Sequence, residues 1–172
     1  MIKAGSLAGT IMLVMALPLL AGAEDRQSEE AIVTSADFAG LTGDGWSGSL
    51  RYLDYSSNTE KTIPVELRFD KPRKRKVVYR IKYPGEAQYN TTEKLKWSRD
   101  GLELNDQKIV SRRRSADGTV VLITQGYGKD NNRSAEIRTT YSLNVSALTI
   151  SKDVRPEGEA DFFRRNSYEL VR

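Results

Sequence analysis

The stretch that decides the fold is Gly43-Asp44-Gly45-Trp46-Ser47-Gly48-Ser49-Leu50-Arg51-Tyr52-Leu53-Asp54-Tyr55. It begins with two glycines around an aspartate and continues as a run in which apolar or small residues alternate with polar ones. Trp46, Leu50 and Tyr52 fall on one side of the run, which has the two-residue period of a β-strand. We predict that this strand opens a small antiparallel barrel and that the remaining chain closes it.

Later residues repeat this alternation in short segments separated by turn residues. Residues 61–70 alternate apolar and polar side chains, Asp117-Gly118 is typical of a hairpin turn, and 126–133 has the composition of a polar loop. The first and last strands of such a meander can pair, which leaves no exposed sheet edge. We therefore predict an all-β fold, an antiparallel up-and-down barrel of about 8–10 strands with a short N-terminal helical segment.

The N-terminus has the pattern of an export signal. Lys3 precedes an apolar run from Leu7 to Leu20, and Ala21-Gly22-Ala23 follows as a small-residue cleavage site. A membrane anchor is the alternative, but the run is shorter than the roughly 18 to 20 residues that a spanning helix needs. We predict a signal peptide at 1–23, a flexible leader with a helical turn at 24–37 and one barrel domain at 38–172. We predict that the protein is secreted into a bacterial periplasm.

The composition excludes several kinds of chemistry. The chain contains no histidine and no cysteine. Ser-His-Asp and Cys-His catalysis, zinc sites built on His or Cys, and disulfides are therefore excluded. No pair of carboxylates is selected by its spacing, so we expect no enzyme, no metal site and no cofactor. The net charge of +4 is mildly basic, and we expect a monomer that does not bind nucleic acid.

The segment Leu41-Thr42-Gly43-Asp44-Gly45-Trp46-Ser47-Gly48, which follows a helical turn and precedes a meander, resembles the start of lipocalin-like (calycin) barrels. The layout over 38–172 also resembles uncharacterised bacterial exported proteins with a lipocalin-like domain. In those families a Gly-x-Trp motif opens the first strand, whereas here Asp44 stands between the two glycines. The resemblance implies that Trp46 packs across the barrel floor under a late arginine, Arg165 or its neighbour Arg164. It also implies a cavity for a small hydrophobic or amphipathic ligand and no enzyme.

The haem-binding ten-stranded barrels related to fatty-acid-binding proteins are another architecture of this kind. Their iron ligand is a histidine, and this chain has none. The haem function therefore does not carry over to this protein.

Polar and aromatic residues on the predicted inner faces are candidates for the ligand pocket. Strand alternation places Tyr52, Tyr79 and Tyr141 inward, where they line a cavity or fill the barrel. If the run 112–114 keeps strand geometry, its members point to alternating sides and at least one arginine can face inward; the alternative is a solvated charge run. The pocket candidates are Tyr52, Tyr79, Tyr141, Arg113, Arg164 and Asn166. For the polar residues of the last strand, the alternative is a position at the barrel rim in contact with water.

A basic run at 71–76 lies between two predicted strands. Its residues Arg73, Lys74, Arg75 and Lys76 form either a solvated hairpin turn or a patch for an anionic lipid or envelope surface. We expect the protein to be a non-catalytic binding protein for a small hydrophobic or amphipathic ligand. The alternative is a structural or envelope-interaction protein with a filled barrel and this basic patch.

Overall fold

The computed structural model of this protein describes residues 31–172. The predicted signal peptide and the first part of the predicted leader lie outside the described residues. Among residues 31–172, no helix is both long enough and apolar enough to cross a membrane.

The described chain is a meander of antiparallel strands with one short helix, as the sequence predicts. Strand β1 pairs with β2 on one side and with β10 on the other, so the first and last strands are neighbours. The sheet runs in the order β4-β3-β2-β1-β10-β9-β8-β7-β6-β5, which confirms the up-and-down topology. The ten strands are β1 Gly43–Asp54, β2 Thr59–Phe69, β3 Lys76–Lys82, β4 Thr91–Lys96, β5 Glu103–Leu104, β6 Gln107–Arg114, β7 Val120–Asp130, β8 Arg133–Leu143, β9 Ala147–Pro156 and β10 Phe163–Val171.

The barrel is nearly closed, and its seam lies between β4 and β5. These are the two ends of the sheet order, although they follow each other in sequence. An isolated bridge between Trp97 and Leu104 joins them. Backbone hydrogen bonds from Asn105 N to Lys96 O (2.7 Å) and from Ser98 N to Glu103 O (3.1 Å) flank that bridge. Strands β4 and β5 are therefore joined by a few hydrogen bonds around a turn, and not by a long ladder of paired residues.

One end of the barrel is covered by a helical segment, and we call this the plugged end. Helix α1 (Ser35–Phe38) continues directly into a 3₁₀ turn at Ala39–Leu41. Phe38 is fully buried and stacks on Trp97 with ring centroids 5.2 Å apart. The turns 70–75, 115–119 and 144–146 surround this end. The opposite end, with the turns 55–58 and 131–132 and the segment 83–90, is the mouth.

The packed domain extends to residues before position 38, where the predicted domain boundary lies. Val33 is buried, and its backbone N–H donates to Gly101 O at 2.9 Å. The Asp37 carboxylate has no solvent exposure and accepts hydrogen bonds from Arg112 Nη2 (2.8 Å) and Arg114 Nη2 (2.9 Å). These contacts bind the helical segment to β6.

The segment 126–133 is not the polar loop that its composition suggested. Strand β7 continues through Gly126, Tyr127 and Gly128 to Asp130 and pairs with β8 along its whole length. The turn is reduced to Asn131 and Asn132, which both have positive φ values (46° and 63°). Asparagine tolerates this left-handed conformation, so two residues suffice to reverse the chain.

Candidate functional site

A cavity of about 570 Å³ opens at the mouth of the barrel. Its apolar wall comes from Leu50 on β1 and Ile63 on β2, which are directly paired and half-buried. The segment after β3 contributes Tyr83, Glu86 and the exposed Tyr89. The α1 segment fills the other end of the barrel; at this end the described chain forms a 3₁₀ turn at Ala87–Tyr89, whose Tyr89 lines the cavity.

The polar side of the cavity comes from the start of β10. Asn166 pairs with Tyr52 across β1 and β10, and both side chains line the cavity together with Arg165. Arg165 donates through Nη1 to Leu53 O, and its guanidinium lies 4.4 Å from the ring centroid of Tyr55. The guanidinium is therefore held in position in the cavity lining.

Arg165 belongs to a cluster of charged and polar groups centred on Asp130. Asp130, at the end of β7, lies 3.4 Å from Arg165 Nε and 3.7 Å from Lys152 Nζ, and it accepts a hydrogen bond from the Tyr55 hydroxyl. Burial, followed by the hydrogen bond to Asp130, raises the pKa of Tyr55 to about 12. Two cations share this carboxylate, so the cluster keeps an excess of positive charge beside the cavity.

Tyrosines fill the barrel below the cavity. The hydroxyls of Tyr83 and Tyr168 are 3.2 Å apart. Burial raises the pKa of Tyr168, with a further contribution from this hydrogen bond, and burial also raises the pKa of Tyr79. Tyr141 is 4% exposed, and burial raises its pKa to about 12. The hydroxyls of Tyr79, Tyr141 and Tyr168 are therefore neutral over the physiological pH range.

The structure brings only some of the predicted pocket residues together. Tyr52 and Asn166 line the cavity, whereas Tyr79 and Tyr141 lie deeper in the packed barrel. Arg113 does not face inward, because Arg112 and Arg114 are the members of the run that turn toward Asp37 and leave Arg113 exposed.

Arg164 is also outside the cavity. A bulge between Arg164 and Asn166 shifts the pairing of β10 with β9. Arg164 therefore pairs with Asp153 and donates to Ser151 Oγ at 3.0 Å, away from the cavity lining. The same bulge leaves Arg165 at the cavity, a position that simple alternation along β10 cannot predict.

The prediction that Arg164 or Arg165 lies over Trp46 is wrong. Trp46 is buried at the plugged end, where its Nε1–H donates to Leu41 O at 2.9 Å. The guanidinium over its ring belongs to Arg172, 4.7 Å from the ring centroid. The pairing of Ser47 with Val171 puts Arg172 opposite Trp46, and Arg165 lies seven residues away toward the mouth.

The predicted basic run lies at the plugged end, away from the mouth. Arg73, Lys74, Arg75 and Lys76 are exposed. The first three line a second cleft of about 410 Å³, whose other wall includes Arg99 and Gly101. The chain thus presents two candidate sites at opposite ends of the barrel.

Several cavity residues were not among the predicted candidates. Leu50 and Ile63 lie on the faces that alternation along β1 and β2 predicts to be inward, so the sequence does carry a signal for them. Glu86 and Tyr89 come from an irregular segment after Pro84-Gly85 and carry no periodic signal. Behind this lining, Asp130 reaches Arg165 and Lys152 only through the long β7–β8 hairpin and the β9–β10 pairing.

Comparison with known proteins supports the architecture alone. No protein-family model and no curated protein sequence matches the chain. Among solved structures, the crystal structure of Rv2717c from M. tuberculosis is similar, with a TM-score of 0.54 and 12% sequence identity. The match covers 82% of this chain and 98% of that chain, which is also a nearly closed antiparallel barrel of ten strands. At this identity the likeness concerns the fold.

Proposed function

We propose that this protein binds a small amphipathic molecule in the cavity at the mouth of a lipocalin-like barrel. The observation that carries the proposal is the cavity of about 570 Å³, which combines an apolar wall with an asparagine and a held arginine. Small-molecule sites commonly have this composition, in which apolar side chains provide contact area and a few fixed polar groups orient the ligand.

The lining suggests how such a molecule would lie. Its apolar part would contact Leu50, Ile63 and Tyr83, and its polar part would meet Asn166 and Arg165. Because Arg165 and Lys152 share the carboxylate of Asp130, a polar group with partial or full negative charge is favoured on the Arg165 side of the cavity, away from the Glu86 carboxylate. The binding would be non-catalytic, in an exported protein if the predicted signal peptide operates.

The proposal can be tested with anilinonaphthalene sulfonate, a fluorescent probe that has an apolar ring system and an anionic group. The wild-type protein should bind it with increased fluorescence, and Ile63→Trp should fill the cavity and weaken binding at least tenfold, about 1.4 kcal/mol. The matched control is Val110→Trp, at an exposed position on β6 outside the cavity lining. Equal binding by both variants would contradict a site in this cavity.

Native mass spectrometry of protein purified from its own host would then identify the class of ligand. We expect a retained small molecule in the wild-type protein that is absent from Ile63→Trp. Asn166→Leu should retain less of it, since the variant removes a hydrogen-bonding group from the lining and keeps a similar volume.

A further inference from the structure

The basic hairpin turn between β2 and β3 has an unfavourable choice of residues. Arg73 and Lys76 exchange two backbone hydrogen bonds (2.8 and 3.1 Å), so Lys74 and Arg75 form a two-residue turn. Both residues have positive φ values, 49° and 60°. This turn geometry favours Asn-Gly, because lysine and arginine are strained in the left-handed region.

The rest of the chain follows the usual preference. Two other adjacent pairs with positive φ are Asn105-Asp106 and Asn131-Asn132, which use the short polar residues that tolerate this conformation. The β2–β3 turn therefore accepts a cost in stability that these two turns avoid. A local cost of this kind is expected where the side chains serve another purpose.

The turn forms one wall of the 410 Å³ cleft at the plugged end. The opposite wall carries Arg99, and the backbone N–H of Trp97 donates to Arg75 O at 3.0 Å, which fixes the turn against the end of β4. Ile32, Val33 and Trp97 contribute apolar surface to the same cleft. The cleft thus combines cationic walls with apolar lining.

Within the described protein, the lining of this cleft has four cationic side chains and one carboxylate, so it keeps an excess of positive charge. Asp100 also lines the cleft, but it accepts hydrogen bonds from Ser98 Oγ (2.5 Å) and Leu102 N (3.1 Å). Within residues 31–172, no ion pair involves Arg73, Lys74, Arg75 or Arg99.

Neighbouring strands increase the positive charge beside the turn. Lys76 on β3 lies directly opposite Lys96 on β4, and Lys94 follows on the same strand. Like charges at paired positions of two strands destabilise a sheet. An external anion is the partner that would relieve this repulsion.

Exposed apolar side chains occur at the same end of the barrel. Leu102, next to the cleft wall, is 46% exposed, Val145 in the turn beside Gly40 is 62% exposed, and Val171 at the end of β10 is 63% exposed. Cationic groups and isolated apolar side chains together fit a lipid surface, which offers phosphates and an apolar layer beneath them. A nucleic acid would use the charges but not these aliphatic side chains.

We propose that the plugged end of the barrel docks on the surface of an anionic phospholipid bilayer. The β2–β3 turn and Arg99 contact the lipid phosphates, and Leu102 enters the interface between them. The mouth of the barrel then faces away from the bilayer. This inference does not depend on whether the mouth binds a ligand.

The double variant Lys74→Asn, Arg75→Gly tests the proposal, because it removes two charges and installs the favoured turn. Binding to vesicles of phosphatidylcholine containing about one third phosphatidylglycerol should weaken about 25-fold, or roughly fivefold for each basic residue. The same variant should unfold at a higher urea concentration than the wild type, so that weaker binding cannot be ascribed to misfolding. Wild-type binding should fall with added salt and be absent on pure phosphatidylcholine.

The matched control is Arg51→Ser, Lys129→Ser, which lowers the net charge equally at exposed positions outside the plugged end. It should change vesicle binding less than twofold by the same surface-charge argument. Equal loss in the control and the turn variant, or unchanged binding by the turn variant, would overturn the proposal. So would tighter binding to single- or double-stranded nucleic acid than to the anionic vesicles at the same ionic strength.

Discussion

Gly48 on β1 lies against the backbone of β10, which leaves no room for a side chain. A Cβ atom at this position would lie 2.0 Å from Glu169 O and 2.8 Å from the Leu170 Cα. Both contacts are backbone atoms of the paired strand, so a side-chain adjustment cannot relieve them. We expect Gly48→Ala to lower the free energy of unfolding by about 3 kcal/mol, as measured by urea denaturation.

The neighbouring Ser47→Ala is the control for this substitution. Ser47 is exposed and pairs with Val171 in the same ladder. Its replacement should change the free energy of unfolding by no more than about 0.5 kcal/mol. A Gly48→Ala variant as stable as Ser47→Ala would show that β1 and β10 can separate at this point without loss.

The contact of Trp46 with Arg172 shows what a short motif can predict at the scale of single residues. The glycine-flanked tryptophan correctly indicated where the first strand begins and that its indole is buried. The partner arginine depends on the register between β1 and β10, which puts position 172 opposite position 46. Register arises from the bulges and turns of all ten strands, so the sequence near Trp46 contains no information about it.

One buried carboxylate binds helix α1 to the barrel, in addition to the packing of Phe38 and Leu41. Asp37 accepts hydrogen bonds from Arg112 and Arg114, and it caps the helix start by accepting one from Thr34 N at 2.9 Å. Asp37→Asn keeps the shape but leaves the two guanidinium groups without their anion. We expect the free energy of unfolding to fall by about 3 kcal/mol, because breaking one partner of a buried ion pair leaves the other charge uncompensated.

Asp106→Asn provides the comparison for this element. Asp106 is exposed in the β5–β6 turn at a φ of 60°, a conformation that asparagine also tolerates. Its substitution should leave the urea midpoint nearly unchanged. If Asp37→Asn behaves in the same way, the packing of Phe38 and Leu41 and the remaining hydrogen bonds suffice to hold the helical segment.

At the scale of elements, alternation predicts most strands but not their ends. Ile63 through Phe69 follow a strict two-residue period, and β2 is found there. Strand β7 was predicted to stop at Gly126, because glycine, lysine and asparagine are common in loops. It continues to Asp130 since β8 offers a full ladder of hydrogen bonds, a tertiary effect that local composition does not report.

The whole barrel should lose stability in alkaline solution. Burial raises the pKa of Tyr55 and Tyr141 to about 12 and also raises the pKa of Tyr79 and Tyr168. An unfolded tyrosine ionises at about 10. Between pH 10 and 12 the unfolded chain therefore releases protons that the folded barrel retains, and the free energy of unfolding falls as pH rises.

Urea denaturation at a series of pH values measures this effect. The stability contributed by these groups should be fully present below pH 10, and each buried tyrosine should add a downward slope on the order of 1 kcal/mol per pH unit above it. Tyr55→Phe keeps the ring under Arg165 and should reduce the slope. A stability that stays constant between pH 10 and 12 would contradict the assigned burial of these hydroxyls.

Whether a predicted pocket residue lines the cavity depends on which end of the barrel it lies near. Tyr52 and Asn166 were identified as pocket residues from strand alternation, and both line the cavity. Alternation states which face a residue occupies but not its depth, so Tyr79 and Tyr141 were placed in the same group although they lie in the packed half. Depth follows from the sheet register and from the end that α1 covers.

The narrow seam between β4 and β5 has a consequence for self-association. Strand β4 pairs with β3, and within the described chain its other edge is covered only at the Trp97–Leu104 bridge and its flanking bonds. An uncovered edge can template a strand from another molecule and start aggregation. Here Glu93, Lys94 and Lys96 occupy that strand. These charged side chains oppose aggregation, because pairing with β4 of a second molecule would bring lysines of both strands close together and they would repel each other.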